Sequence, residues 1–416
     1  MMTRYQKFLA EGKFPISFYN YCTLSQLGAG AVKDWVDAGI TVAAMPQYES
    51  EKHKPADLLA VLDACAEAGI WATVGYDRVC ICHDSDNPTL ADEYRRKFEV
   101  GVKLFGSHPA VLGFHAGDEP NGTRGSQDFF NSYAIQKEIA PDLTPFQCLG
   151  PYCPDTAAWV GYDNYDKFMM DYRTIANPEY ACFNTYWQLS TDEQGTDMYF
   201  ASLRKYAENT LPFNIPLWFT GCAVGHFKYR CPTEDLFNWQ INTAVAHGVT
   251  GIKWFFLYMR EPHGNCRKPP IDEFWERTET FEWLSKANRR FQRKHGWLMP
   301  KLKLQAAYHL GKVYGGYPEF KGSRLIRMAA SDIPLIISEF KDAEGHDYIA
   351  VVNNSQCDNG FVAITLVGSP RVSQAGWDGW DGAMNHTRLA GPDAANPNDL
   401  RIGHAMYPGQ MEVWRL

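Results

Sequence analysis

Asp118 and Glu119 stand side by side at the end of the apolar run Ala110-Val-Leu-Gly-Phe-His-Ala-Gly117, with Pro120 and Asn121 after them. Two neighbouring carboxylic acids repel when both are ionised, so at least one pKa rises and one member can keep a proton near neutrality and donate it. Asp, Glu and Pro also favour the first turn of a helix, so a capping role competes. An apolar strand leading straight into the pair favours chemistry, with one member of the pair as the proton donor.

Other polar and aromatic residues fall at the ends of comparable apolar runs: Asn20 and Tyr21, then Tyr48 and Glu49, then Tyr76, Asp77 and Arg78. Further along come Asn184, Tyr186 and Trp187, then Gly221, Cys222 and His226, then Tyr258, Arg260 and Glu261. Hydrogen-bonding groups interleaved with flat rings are what a hydroxyl-rich, sugar-like ligand requires. In that arrangement His115 bonds a ligand hydroxyl or the Asp118 carboxylate, while Asn20, Tyr76, Asp77, Asn184, Tyr186 and Tyr258 line the ligand and Trp187 or Trp254 forms a floor for it. Each aromatic has core packing as its ordinary competing role. A thiol mechanism at Cys222 lacks a His-Asn arrangement to support it.

These residues must be carried by a regular scaffold. In Val36-Asp-Ala-Gly-Ile-Thr-Val42 and Ala66-Glu-Ala-Gly-Ile-Trp-Ala72 a helix ends at Gly39 or Gly69 and a strand begins directly after. The two junctions lie about thirty residues apart, the pitch of a βαβ unit. Eight apolar runs continue the pattern, near 15–20, 40–45, 70–76, 110–117, 145–149, 180–186, 216–221 and 251–258. Helical patterns lie between or after them at Pro55 to Ala68, Leu90 to Phe105, Asp128 to Ile139, Met198 to Asn209, Thr233 to His247 and Ile271 to Phe291. Strands apolar on both faces and separated by helices predict a parallel sheet covered by helices, and eight units predict a closed (β/α)8 barrel over residues 1–299. Chemistry then belongs at the C-terminal ends of the strands, where the residues above fall.

After about residue 300 the texture changes. Short β-type runs at Val313 to Tyr317, Ser323 to Met328, Leu335 to Phe340, Tyr348 to Val352, Phe361 to Leu366 and Met411 to Leu416 are divided by turn residues. They predict a small antiparallel β-sandwich over 300–416. Its Gly376-Trp-Asp-Gly-Trp-Asp-Gly382 segment reads as a hairpin with packed Trp rings, with an aromatic lip facing the ligand as the alternative.

Composition narrows the function classes. The 416 residues are 45% hydrophobic and 14% aromatic, ample for a large core with rings to spare for stacking. A net charge of −8 with no Lys/Arg-rich run disfavours nucleic acid and anionic membranes as partners. With no apolar stretch of signal-peptide length at the start, a cytoplasmic protein is the expectation, although a secreted chain trimmed of its leader reads the same. Eleven cysteines, several of them in apolar patterns (Cys65, Cys148, Cys182, Cys222), suit a reducing compartment. Cys80-Ile-Cys82-His83-Asp84 has poor spacing for a tetrahedral metal site, and no Gly-x-Gly-x-x-Gly or P-loop occurs, so neither metal nor cofactor is expected. A homo-oligomer is left open.

The strand end Gly117-Asp-Glu-Pro120 resembles the fourth-strand Asn-Glu-Pro of the large clan of retaining barrel glycosidases, which implies that Glu119 is an acid/base acting on a glycoside or oligosaccharide. Ile215-Pro-Leu-Trp-Phe-Thr-Gly-Cys222, Cys231-Pro-Thr-Glu-Asp-Leu236 and Ala244-Val-Ala-His-Gly-Val-Thr-Gly-Ile-Lys-Trp-Phe-Phe256 are similar to the seventh-strand, helix and eighth-strand run of its beta-galactosidase-like members. The final Pro408-Gly-Gln-Met-Glu-Val-Trp-Arg-Leu416 is similar to their accessory sandwich.

One departure matters. The clan carries a nucleophilic Glu at the end of strand seven, and this chain has Gly221 and Cys222. Neither the spacing of about 5–5.5 Å between two carboxylates in retaining enzymes nor the 6.5–9.5 Å of inverting ones can be assumed.

Three arrangements stay open. His115-Ala-Gly-Asp-Glu119 resembles the His-x-Gly-Gly-Asp-Glu of beta-N-acetylhexosaminidases, where the substrate's acetamido group is the nucleophile, which implies a partnership of Asp118 with Glu119. Alternatively Glu261, or else Asp77, supplies the second carboxylate. In the third arrangement the barrel binds sugar without cleaving it.

Overall fold

In a computed structural model, which describes residues 2–190, 192–260, 265–368, 370–381 and 388–416, the first eight strands all run parallel. They are β1 (Ile16–Phe18), β2 (Val42–Ala44), β3 (Trp71–Val74), β4 (Val111–Asp118), β5 (Phe146–Cys148), β6 (Ala181–Asn184), β7 (Leu217–Cys222) and β8 (Val249–Phe255). The ladder β2-β3-β4-β5 and the ladder β6-β7-β8-β1 form two staves of one cylinder. The Thr41 amide donates to the Ile16 carbonyl at 2.9 Å and the Leu149 amide to the Cys182 carbonyl at 2.8 Å, which closes both seams. The expected (β/α)8 barrel is therefore the architecture.

The junction glycines behave as the sequence requires. Gly39 and Gly69 have φ of 71° and 66°, the left-handed region that ends a helix cheaply only at Gly. The following amides return to the helix, Ile40 to the Trp35 carbonyl and Ile70 to the Cys65 carbonyl, so the chain turns at once into β2 and β3.

Helix boundaries differ at several places; the helices expected from Asp128 and Met198 begin earlier, at Gly122 and Glu193. The expected helix from Ile271 begins only at Glu279, because Ile271 bridges to Tyr258 and Arg277 and the amides of Phe274 and Glu276 donate to Asp272 Oδ1 instead. The segment Arg4–Ala10 is a helix that the sequence reading lacked. It plugs the bottom of the barrel with buried Tyr5 and Phe8, and its Arg4 guanidinium donates to the carbonyls of His108 and Val111.

The C-terminal strands form two antiparallel sheets. They are β9 (Lys303–Leu310), β10 (Ile326–Ser331), β11 (Leu335–Lys341), β12 (Asp347–Asn353), β13 (Gly360–Leu366), β14 (Ser373–Gly376), β15 (Gly379–Asp381), β16 (Arg388–Pro392), β17 (Leu400–Met406) and β18 (Met411–Arg415). A six-stranded sheet, β15-β14-β18-β12-β11-β9, faces a four-stranded one, β10-β13-β17-β16. Leu335, Ile337, Ile349 and Val351 point into the sandwich, while Ile336, Phe340, Ala350 and Val352 join the barrel core. The larger sheet thus has two apolar faces because it is covered on both sides.

Val313 to Tyr317, expected as a strand, is a loop. Gly315 and Gly316 take φ of 62° and 70°, and the Gly315 amide donates to Asp197 at 2.8 Å. The tryptophan-rich segment is the β14–β15 hairpin. Trp380 packs edge-on to Trp297 with ring centres 5.3 Å apart and against Tyr348 at 6.0 Å, and Arg293 pairs with Asp378. Among the described residues no helix is long and apolar enough to cross a membrane.

Candidate active site

Strand β4 is the longest of the barrel and ends on Asp118, so its next residue is lifted onto the rim. Glu119 has φ of 40°, a left-handed conformation that non-glycine residues seldom adopt and that tends to persist at functional sites. Its side chain is exposed and reaches a cleft of 290 Å³ also lined by Trp159, Asn184, Tyr186, Trp187 and Tyr229. The Asn184 amide, at the end of β6, donates to the Glu119 carboxylate. Gly150 makes the crowding feasible: a Cβ there would lie 2.7 Å from the Trp159 ring and 3.9 Å from Glu119 Cγ.

Asp118 lies behind Glu119, facing the barrel interior. Burial first, and the neighbouring Glu119 second, push its pKa up to about 7, against the opposing pull of Lys253 and of the Tyr19 hydroxyl, which donates to Asp118 Oδ1 at 3.3 Å. Lys253, on β8, is buried with its ammonium 4.0 Å from the Phe146 ring centre and 4.6 Å from that of Tyr19. Burial lowers it to about 8, countered by Cys182, Cys148 and Asp118. The raised carboxyl in this pair is therefore the interior one.

Of the residues expected to meet a ligand, Asn184, Tyr186 and Trp187 gather around Glu119. The others are placed elsewhere. His115 stacks on Phe146 inside the barrel, ring centres 5.7 Å apart, and makes no bond to Asp118. Burial and the Lys253 charge hold it near pKa 4, and its Nε2 has no partner among the described residues. Asn20 is used up structurally, its amide donating to the Ala44 carbonyl and its oxygen accepting from the Cys22 amide, both at 3.0 Å.

Trp254 is no floor for a ligand: it is fully buried in the layer between barrel and helices, its indole donating to Asn288 at 3.0 Å. Tyr258 is equally buried, accepting from Trp35 at 3.0 Å and donating to Asp34 at 3.2 Å. Tyr76 stacks on Tyr48 and, with Asp77, borders a separate hollow of 530 Å³. Asp77 Oδ1 accepts from the Ser50 amide at 2.5 Å. Glu261 lies outside the described residues.

The end of strand seven resolves the ambiguous position. A Cβ on Gly221 would meet Gln240 and Trp254, so Gly221 faces the helices and Cys222 is the inward residue. The Cys222 thiol donates to the Val224 carbonyl at 3.1 Å, and burial pushes its pKa to about 12, the opposite of an activated nucleophile.

Several contributors escaped the sequence reading. Trp159 and Asp155 follow β5, whose end offered no carboxylate or ring on the strand itself. The signal for Lys253 is a lone charge inside an apolar strand, and for Tyr19 a ring one residue past β1.

No protein-family model matches the chain, and no curated protein matches it in sequence. In structure the chain is similar, at low identity, to barrel glycoside hydrolases. A beta-galactosidase from the Antarctic haloarchaeon Halorubrum lacusprofundi shares 10% identity at a TM-score of 0.49, over 67% of this chain and 58% of that one. Xylanase 10B from Thermotoga maritima shares 10% at a TM-score of 0.45, over 70% and 98%. A glucosidase from Croceicoccus marinus shares 10% at a TM-score of 0.44, over 97% and 95%. This chain thus spans little more than half of the beta-galactosidase's length.

Proposed function

We propose that the protein is a glycoside hydrolase in which Glu119 delivers a proton to the leaving oxygen of a sugar bound in the aromatic cleft. The observation that carries this reading is Glu119 itself, turned out of β4 into a cleft bordered by Trp159, Tyr186, Trp187 and Tyr229 and steadied by Asn184. Rings of this kind offer faces for sugar stacking, and an acid among them sits where a glycosidic oxygen would rest. Behind it, burial first and the Glu119 charge second keep Asp118 protonated up to about pH 7.

A second reading of the same site concerns the nucleophile. The inward residue at the end of β7 is the buried, protonated thiol of Cys222. This favours a substrate that brings its own nucleophile, a 2-acetamido group, with Asp118 beside it as orienting group. The test is a panel of nitrophenyl glycosides with and without a 2-acetamido group, assayed with the wild type and Glu119→Gln. Loss of turnover in the variant is expected. Equal turnover by both proteins removes Glu119 from the reaction, and turnover of the acetamido sugars alone selects the substrate-assisted route.

A further inference from the structure

The two loops that leave strands β7 and β8 carry Lys228, Arg230, Arg260 and Arg267 in a chain whose net charge is −8. Among the described residues their contacts are all to neutral groups. Lys228 lies over the Trp187 ring at 5.4 Å, Arg230 bonds the Gln356 amide, and Arg267 donates to the carbonyls of Phe227 and Tyr229 at 3.2 and 3.0 Å. Arg260 lies over two rings, 4.7 Å from the centre of Tyr21 and 5.9 Å from that of Phe255. Its Nε is buried and has no hydrogen-bond partner among the described residues.

Arg260 is joined to the cleft through its rings. Phe255 stacks on Tyr186, a wall of the cleft, with ring centres 5.1 Å apart. The Tyr21 hydroxyl lies within electrostatic reach of Asp118, Glu119 and Arg260 together. Lys253, not Arg260, is the cation that offsets the rise of Asp118. A guanidinium held over two rings, with no carboxylate paired to it among the described residues, is arranged for a planar or tetrahedral oxyanion.

We propose that the cleft takes a glycoside bearing an acidic group, a carboxylate or a sulfate ester on the sugar, and that Arg260 receives that group. The assignment rests on the reading of the Glu119 cleft as a sugar site. Opposite charges then set the direction of binding: the anion is drawn to the strand-eight side, which turns the glycosidic oxygen toward the acid pair.

Binding, read without turnover, separates this proposal from the catalytic one. Calorimetric titration of Glu119→Gln with matched nitrophenyl hexosides, one neutral, one oxidised to the uronide and one 6-sulfated, is expected to show an acidic sugar binding about tenfold or more tighter than the neutral one. The uronide and sulfate arms identify which anion is meant. Adding Arg260→Gln is expected to erase the preference, whereas adding Arg267→Gln, whose donors already serve backbone carbonyls, is expected to keep it. A neutral sugar bound as tightly as both acidic ones, binding of none of the three, or a preference that survives Arg260→Gln overturns the proposal. A preference for an acidic sugar in a protein that cleaves nothing would instead retain this assignment and remove the role of Glu119.

Discussion

Two hollows open on the rim of the barrel, and each has a tyrosine and a carboxylate at its edge. Beside β2 and β3, Tyr76 lies flat on Tyr48, Asp77 accepts from the Ser50 amide, and Glu49 is paired with Lys52 and Arg78. Beside β4 and β6, Glu119 accepts from the neutral Asn184 amide, and Asp118 from the neutral Tyr19 hydroxyl. The first set of acids is spent on its own backbone and on exposed cations. In the second, Glu119 is aimed into a cleft of rings while Asp118 faces the barrel interior, where the buried cation Lys253 lies. A carboxylate at a strand end becomes a candidate acid when its local partners leave the proton in play.

The comparison breaks most decisively on the two acids. Glu119→Gln is expected to lower kcat/KM by about 10²–10⁴-fold, the usual worth of a general acid, and Asp77→Asn to leave it within about threefold. Comparable losses in steady-state assays of the two variants would erase the distinction between the hollows.

Next in size is the pH dependence tied to Asp118. Its pKa in the folded protein, about 7, lies above the ordinary carboxylate value, so the native state holds this proton more tightly than the unfolded chain does. The stabilisation is therefore complete below the unfolded value and is lost as pH rises through about 7. Asp118→Asn is expected to melt at a higher temperature than the wild type at pH 8 and to lose that advantage toward pH 4. Its rate profile should lack the decline expected of the wild type above about pH 7. Parallel melting curves at both pH values would mean that Asp118 is not the buried acid.

The smallest expected effect concerns the rings. Trp187→Ala should raise KM roughly threefold to tenfold with little change in kcat, the scale of one lost stacking contact, while Tyr76→Phe should move neither. Steady-state kinetics on the same glycoside checks both.

Much of this protein is written locally. The glycine-ended helices, the eight apolar runs and the placement of Asp118 and Glu119 at a strand end depend on periodicity and on backbone preferences that act over a few residues. The change to short β runs after residue 300 is equally local. Trp254 and Tyr258 show where local reading stops. A strand apolar on both faces does not reveal which face a ring occupies, and the closed cylinder sends Trp254 to the helix layer, bonded to Asn288, a residue 34 positions on.

The sequence by itself determined that an acid pair would be presented at the mouth of a parallel barrel, because strand, turn and carboxylates are contiguous. Only the tertiary structure decided which acid is buried, which rings surround the other, and that Arg260 shares their rim. Those properties come from β1, β4, β5, β6 and β8 meeting at one end of the cylinder, where burial and charge are summed over residues far apart in the chain.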